Sequence, residues 1–224
     1  MRFIDLSQPL YDNAPNCPAH PAVRVEIIAD HDADDWRMEL LTIASHTGSH
    51  LDAPLHKIKG GRTIDQMPLE TFAGPALVLD VRAECVEELS RIDQAMLERH
   101  VSGREVRGRI VLLATGWGER RAKTEAWLRR SAFLTPDGAR WLVERGARAV
   151  GIDHYSIGGA GPENAPTHTV LLGAGMWVVE ELRFPEEVFA LPQPVQFMAL
   201  PIHFRGFSGA FCRPVIVVGA AEGA

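Results

Sequence analysis

The chain has 224 residues, 46% of them hydrophobic and 23% charged, with a formal net charge of −6, the balance of an ordinary globular protein long enough to bury a core. No lysine/arginine block is present, which argues against nucleic acid or an anionic membrane as the main partner. The start, MRFIDLSQPLYDN, lacks an apolar signal region, no run reaches the length of a membrane span, and Cys17, Cys85 and Cys212 are too few and scattered for a disulfide framework, so a reduced, cytoplasmic compartment is expected.

In chain order, residues 36–45 (WRMELLTIAS) are expected as a strand leading into a histidine-rich motif, and residues 75–82 (PALVLDVR) as a second strand after Gly74-Pro75. Residues 93–102 read as a short helix with Gly103 just past its end. Residues 109–115 (RIVLLAT) read as a buried strand closed by Gly116. Thr135-Pro136-Asp137 is a helix start, with an N-cap hydroxyl and proline at the first helical position. That helix is expected to run to Gly146, with residues 147–152 as the following strand. A short helix over 166–173 and strands over 176–179, 195–200 and 214–218 complete the reading. Nothing repeats at a fixed period and no linker interrupts the chain. Residues 1–224 are therefore expected to form one mixed α/β domain.

The motif is His46-Thr47-Gly48-Ser49-His50-Leu51-Asp52-Ala53-Pro54-Leu55-His56, with its ligand-type side chains all at even positions. On a helix His46 and His50 would share a face while Asp52 and His56 pointed away. In an extended chain all four face one way, and Gly48 and Pro54 disfavour a helix interior. A straight strand would nonetheless put His46 and Asp52 roughly 20 Å apart. The segment must curl, and Gly48 is the residue that permits it. Imidazole nitrogen and carboxylate oxygen together suit Zn²⁺ or Mn²⁺, and the absence of a nearby cysteine disfavours a structural zinc knuckle. The competing reading is four unrelated polar residues in a loop.

HTGSHLDAPLH resembles the HxG(T/S)HxDxPxH signature of the metal-dependent cyclase-like hydrolases, whose members include bacterial kynurenine formamidases and isatin hydrolases. Ile4-Asp5-Leu6-Ser7 with Pro9-Leu10 resembles that family's opening strand, and Gly151-Ile152-Asp153 with Ser156 its GID-x-x-S segment. Pro166-Thr167-His168 with Met176 and Glu180 is similar to its second metal segment, and Gly206 and Gly209 before Arg213-Pro214-Val215 to its closing hairpin. The resemblance implies a swivelling β/β/α fold. It implies His46, His50 and Asp52 as ligands of a first metal, Asp52 and Glu180 as bridging carboxylates, His168 as a second-metal ligand and His56 as the catalytic acid/base. One or two zinc ions are implied, with manganese as an alternative. Alternation alone leaves Glu180 and Glu181 both open as the ligand; the family spacing favours Glu180.

Other features carry less. Asp153, directly after a buried strand, suits either orienting a ligand imidazole or capping the next turn. His154 has no assigned role. Gly158-Gly159-Ala160-Gly161 lacks the Lys-Ser/Thr of a phosphate loop and reads as a lip near the site, and Trp117, Trp127 and Trp141 read as core or interface. Kynurenine formamidases carry an aromatic residue, usually Trp, where this chain has Cys17, so Cys17 is expected to be a small residue lining the substrate pocket. The resulting expectation is metal-assisted hydrolysis of a small amide by a homodimer or homotetramer. N-formylkynurenine, a tryptophan catabolite, leads the candidates, ahead of isatin-like cyclic amides, imides and lactams. A metal-binding relative without hydrolytic activity is the alternative class.

Overall fold

In the computed structural model, which describes residues 1–219, the apolar runs of the chain centre form the middle of a nine-stranded sheet. The strands in chain order are β1 Arg2–Asp5, β2 Arg24–Ala29, β3 Met38–Thr42, β4 His50–Asp52, β5 Ala73–Asp80, β6 Arg91–Ile92 and β7 Ile110–Ala114. They continue with β8 Phe133–Leu134, β9 Ala149–Ile152, β10 Trp177–Glu180, β11 Val195–Met198, β12 Gly209–Phe211 and β13 Val215–Val218. The helices are α1 His31–Asp34, α2 Gln94–Val101, α3 Glu125–Arg129, α4 Pro136–Glu144 and α5 Asn164–Gly173.

Sheet order is β1-β13-β11-β5-β7-β9-β10-β4-β12. Strands β5, β7, β9 and β10 run parallel, and antiparallel strands extend both edges. The parallel strands are buried on both faces, as connections through helices require. Leu77, Leu79, Val111, Leu113, Val150, Ile152 and Val178 pack under the helices. Ala76, Val78, Ile110, Leu112, Ala149 and Val179 alternate with them and pack on the other face against Ile4, Leu6, Leu51 and Phe72. The mixed α/β class read from the sequence is the class observed.

Local signals act where the chemistry demands. Thr135 caps α4 by accepting from Gly138 N, and Pro136 opens the helix. Asp93 caps α2 through Met96 N. That helix ends one residue earlier than the glycine suggested, with Ser102 taking the left-handed conformation and Gly103 continuing it. The expected 36–45 strand is confined to Met38–Thr42 and does not join the main sheet. It pairs with β2 in a separate hairpin whose β3 residues are all exposed. Trp117 and Trp127 are fully buried in the core, as expected, with Trp141 close behind.

Candidate metal centre

The antiparallel contact of β4 with β10 builds the site. His50 stands opposite Glu180 and Asp52 opposite Val178, and directly opposed residues share a face. His50 and Asp52, two apart, therefore present their side chains beside Glu180, while Leu51 turns into the core. Only His50–Asp52 is extended. His46 precedes a turn at Gly48 and His56 ends a 3-10 turn over Pro54–His56, so the shared face expected for all four holds only within the strand. Gly48 has φ +69°, and a Cβ there would stand 2.8 Å from Leu10 Cδ2. Gly209, on the neighbouring β12, passes so close that a Cβ would lie 2.5 Å from His46 Cε1. Both positions need glycine for the loop to fold over the site.

Each imidazole is held by one nitrogen. His50 Nδ1 lies 2.7 Å from the Gly48 carbonyl and donates to it, leaving Nε2 as a lone pair 3.4 Å from both Asp52 Oδ1 and Glu180 Oε2. His168, on α5, donates from Nδ1 to Asn164 O at 2.9 Å and turns Nε2 to Glu180 Oε1 at 3.2 Å and Asp52 Oδ2 at 3.6 Å. His46 Nε2 lies 2.8 Å from Ser208 Oγ, and its Nδ1 2.7 Å from Asp52 Oδ1. Carbonyl and hydroxyl partners of this kind fix which nitrogen is offered to a metal. Among the described residues, ligand-type atoms fall into two groups within 4.8 Å, His46–Asp52–His56 and His50–Asp52–Glu180. This differs from the expected trio of His46, His50 and Asp52. The curl at Gly48 swings the His46 ring onto His56, 3.9 Å between centroids, and Asp52 becomes the residue the groups share.

Asp52 and Glu180 are two carboxylates buried side by side. Burial opposes the charge on Asp52, yet the His168, His46 and His50 imidazoles hold its pKa well below the usual carboxylate range. Burial and the Asp52 charge both oppose ionisation of Glu180, and His168 and His50 outweigh them. Burial likewise disfavours charged His50 and His168, but the carboxylates win, raising the first well above the ordinary value and pushing the second up to about 10. Without a cation, the carboxylates draw protons onto these imidazoles; on losing them, the same nitrogens would be available to a cation. Asp52 Oδ2 is buried and accepts no hydrogen bond, a costly state for a carboxylate oxygen. Nitrogen and carboxylate donors converging on an unsatisfied buried oxygen fit a divalent transition metal.

The adjacent glutamates part company at the strand end. Glu180 faces the imidazoles and accepts from Ile157 N at 2.7 Å, whereas Glu181 adopts φ +58° and turns its carboxylate to Arg121. Asp153 takes a capping role rather than the imidazole-orienting one. Its carboxylate accepts from Thr115 N and Oγ1 and from Gly116 N, so it caps the turn after β7 and orients no imidazole. Ser208, inside the Gly206–Gly209 loop, was given no role from sequence. Cys17 sits half-buried in the segment facing the site and lines a cavity of about 190 Å³ with Asn16, His20 and Lys123. Burial raises its thiol pKa, which disfavours a thiolate nucleophile. A larger cavity of about 750 Å³ lies over the β11–β13 side, but among the described residues none that lines it is titratable, whereas the imidazole cluster gathers the reactive groups.

His154 has a structural part. It is fully buried, with Nδ1 3.0 Å from Ser131 Oγ and Nε2 2.8 Å from Trp127 O, and burial pushes its pKa down to about 4. The unfolded chain binds a proton below about pH 6.5 that the folded chain refuses. His154 should therefore cost stability progressively as pH falls from about 6.5 to about 4, by up to ~3 kcal/mol. Urea unfolding across that range should show a shallower pH slope for His154→Gln, by about one proton. Equal slopes would refute the assignment.

The putative cyclase family model matches residues 4–158. A kynurenine formamidase from Salinibacter ruber is 29% identical over 222 residues, covering 96% of this chain and 97% of the relative. Among solved structures, isatin hydrolase A from Ralstonia solanacearum superposes with a TM-score of 0.84 at 27% identity, covering 96% of this chain and 91% of that one. A predicted metal-dependent hydrolase from Bacillus stearothermophilus superposes at 0.75 with 26% identity, covering 96% and 97%.

Proposed function

The chain belongs to the putative cyclase family, and from that membership we propose that it is a metal-dependent hydrolase of the carbon–nitrogen bond of a small amide. One observation carries the reading: two buried carboxylates, Asp52 and Glu180, face the Nε2 lone pairs of His50 and His168, whose Nδ1 atoms are locked on backbone carbonyls. Asp52, Glu180, His46, His50 and His168 are the proposed ligands, for one or two zinc ions, with manganese as the alternative. The bound ion supplies Lewis-acid polarisation of a carbonyl and brings the pKa of water toward neutrality. His56 is the proposed proton carrier. Its ring lies against those of His46 and His168, and burial keeps its pKa below the ordinary imidazole value despite the pull of Asp52. It is thus neutral near pH 7, able to take a proton and pass it to the leaving nitrogen.

The kynurenine formamidase relative makes N-formylkynurenine the first substrate to try, and the isatin hydrolase neighbours make cyclic amides the second. Cys17 cannot stack on an aryl ring as an aromatic side chain would, so an aryl preference would have to come from other residues of the pocket. The test is turnover of N-formylkynurenine, isatin and short formamides by protein purified without chelator, alongside elemental analysis. Metal-dependent turnover is expected, with close to one equivalent of transition metal or more per chain. Fully metallated protein that turns over none of them would favour a metal-binding protein without hydrolytic activity.

A homo-oligomer is proposed from the β2–β3 hairpin. Ile27, Ile28, Trp36, Met38, Leu40 and Leu41 are about half or more exposed on it, and a lone two-stranded hairpin is marginal in water. A second copy covering these side chains would account for both facts. Among the described residues, no helix is long and apolar enough to cross a membrane.

A further inference from the structure

Arg121 is buried, with its side chain 6% exposed, and pairs through Nε with Glu181, itself 1% exposed. The same guanidinium donates from Nη1 to Pro9 O at 2.9 Å and from Nη2 to Pro15 O at 2.8 Å. Three edges of one planar fork thus bind two distant pieces of chain, a task suited to arginine and beyond lysine.

The two pieces matter because of where they lead. Glu181 follows the proposed ligand Glu180, and its left-handed backbone, costly for a non-glycine residue, is what aims consecutive glutamates in different directions. Its amide donates to His154 O and its carbonyl accepts from Ser49 Oγ in the metal motif. The other piece, Pro9–Pro21, carries Cys17 and His20. His20 reaches the motif directly, its Nδ1 3.2 Å from Thr47 Oγ1. Much of the hydrogen bonding of this piece is internal, as in Ala14 N to Tyr11 O, His20 N to Cys17 O and Asn16 Nδ2 to Pro21 O. Beyond these, Asn13 N donates to Val23 O, Asp12 accepts from Val25 N, Lys123 donates to Asn13 and Cys17 packs against the core; the guanidinium adds the tie that joins Pro9 and Pro15 to the strand end at Glu181.

We propose that Arg121 is a positioning residue for substrate binding: it clamps the 9–21 wall, with Cys17 and His20 on it, against the strand end that bears Glu180. The metal ligands do not depend on it, because Glu180 is placed by its pairing with His50 and by Ile157 N. Loss of the clamp should therefore act on substrate binding and spare the metal.

This rests on the hydrolase reading, and the test separates the two. Arg121→Met alone would strand a buried carboxylate, so the informative protein is the double variant Arg121→Met/Glu181→Met, compared with Arg121→Lys and wild type. The double variant should bind metal as wild type does, show kcat within about threefold, and raise KM about tenfold or more, with Arg121→Lys between. Amide hydrogen exchange over residues 9–21 should be faster in the double variant. Unchanged KM, or unchanged exchange over that segment, would overturn the proposal and leave Arg121 a stability element. If wild-type protein turns over no amide, the hydrolase reading fails while the exchange measurement still decides whether the clamp exists.

Discussion

His50→Ala should abolish metal binding and activity together, the rate falling by about 10³-fold or more, since an ion acting on a carbonyl contributes several kcal/mol. His50 is the imidazole whose Nε2 lies equally close, at 3.4 Å, to Asp52 and to Glu180. Removing it leaves both buried carboxylates, Asp52 at 0% and Glu180 at 3% exposure, short of the partner that offsets their burial. Added zinc or manganese should raise the melting temperature of wild-type protein, as any ligand of the folded state does, and should not raise that of the variant. His100→Ala is a suitable control, since His100 pairs with Glu84 on the surface, away from the site. A His50→Ala protein that retained wild-type metal content would remove the β4–β10 pairing as the core of the centre.

The site was legible in sequence where its chemistry is local. Four ligand-type side chains crowd into eleven residues from His46 to His56, and the need for a curl at Gly48 follows from strand rise alone. The division of those residues between two groups was not legible, because it depends on Gly209 approaching from a strand far along the chain and on Ser208 holding His46 across 162 residues. The choice between Glu180 and Glu181 is of the same kind. Alternation is silent at a strand end, and the deciding contact is Arg121, 60 residues away. The two roles open to Asp153 could not be told apart in sequence, since the Thr115–Gly116 turn that uses it belongs to a neighbouring strand. The buried strands and the capped α4 were recovered because their signals are continuous apolar runs and Thr-Pro chemistry. The β2–β3 hairpin was half missed: RVEIIA mixes charge and apolar side chains, and its exposure on both faces leaves no alternation to read.

His56→Ala is expected to lower kcat by about 10²-fold or more, the usual size of an acid/base contribution, while metal stays bound through His50, Asp52, Glu180 and His168. The geometry makes this a sharp question, because ring nitrogens of His56 and His46 and an Asp52 oxygen lie within 4.8 Å of one another, close enough for His56 to act as a ligand. Two features favour the proton-carrying role. His56 ends an irregular 3-10 turn and keeps more solvent contact than the buried His50 and His168. In addition, the two neighbouring imidazoles are held on Gly48 O and Asn164 O, whereas the ring contacts recorded for His56 are with other imidazoles. A group that must take up and release a proton needs that freedom, and a ligand needs the opposite. His56→Gln should behave as His56→Ala does in rate, since glutamine cannot carry the proton. If His56→Ala instead empties the centre as completely as His50→Ala, His56 is a ligand first, and the proton must reach the leaving nitrogen by another group, with His20 on the facing wall the next to test.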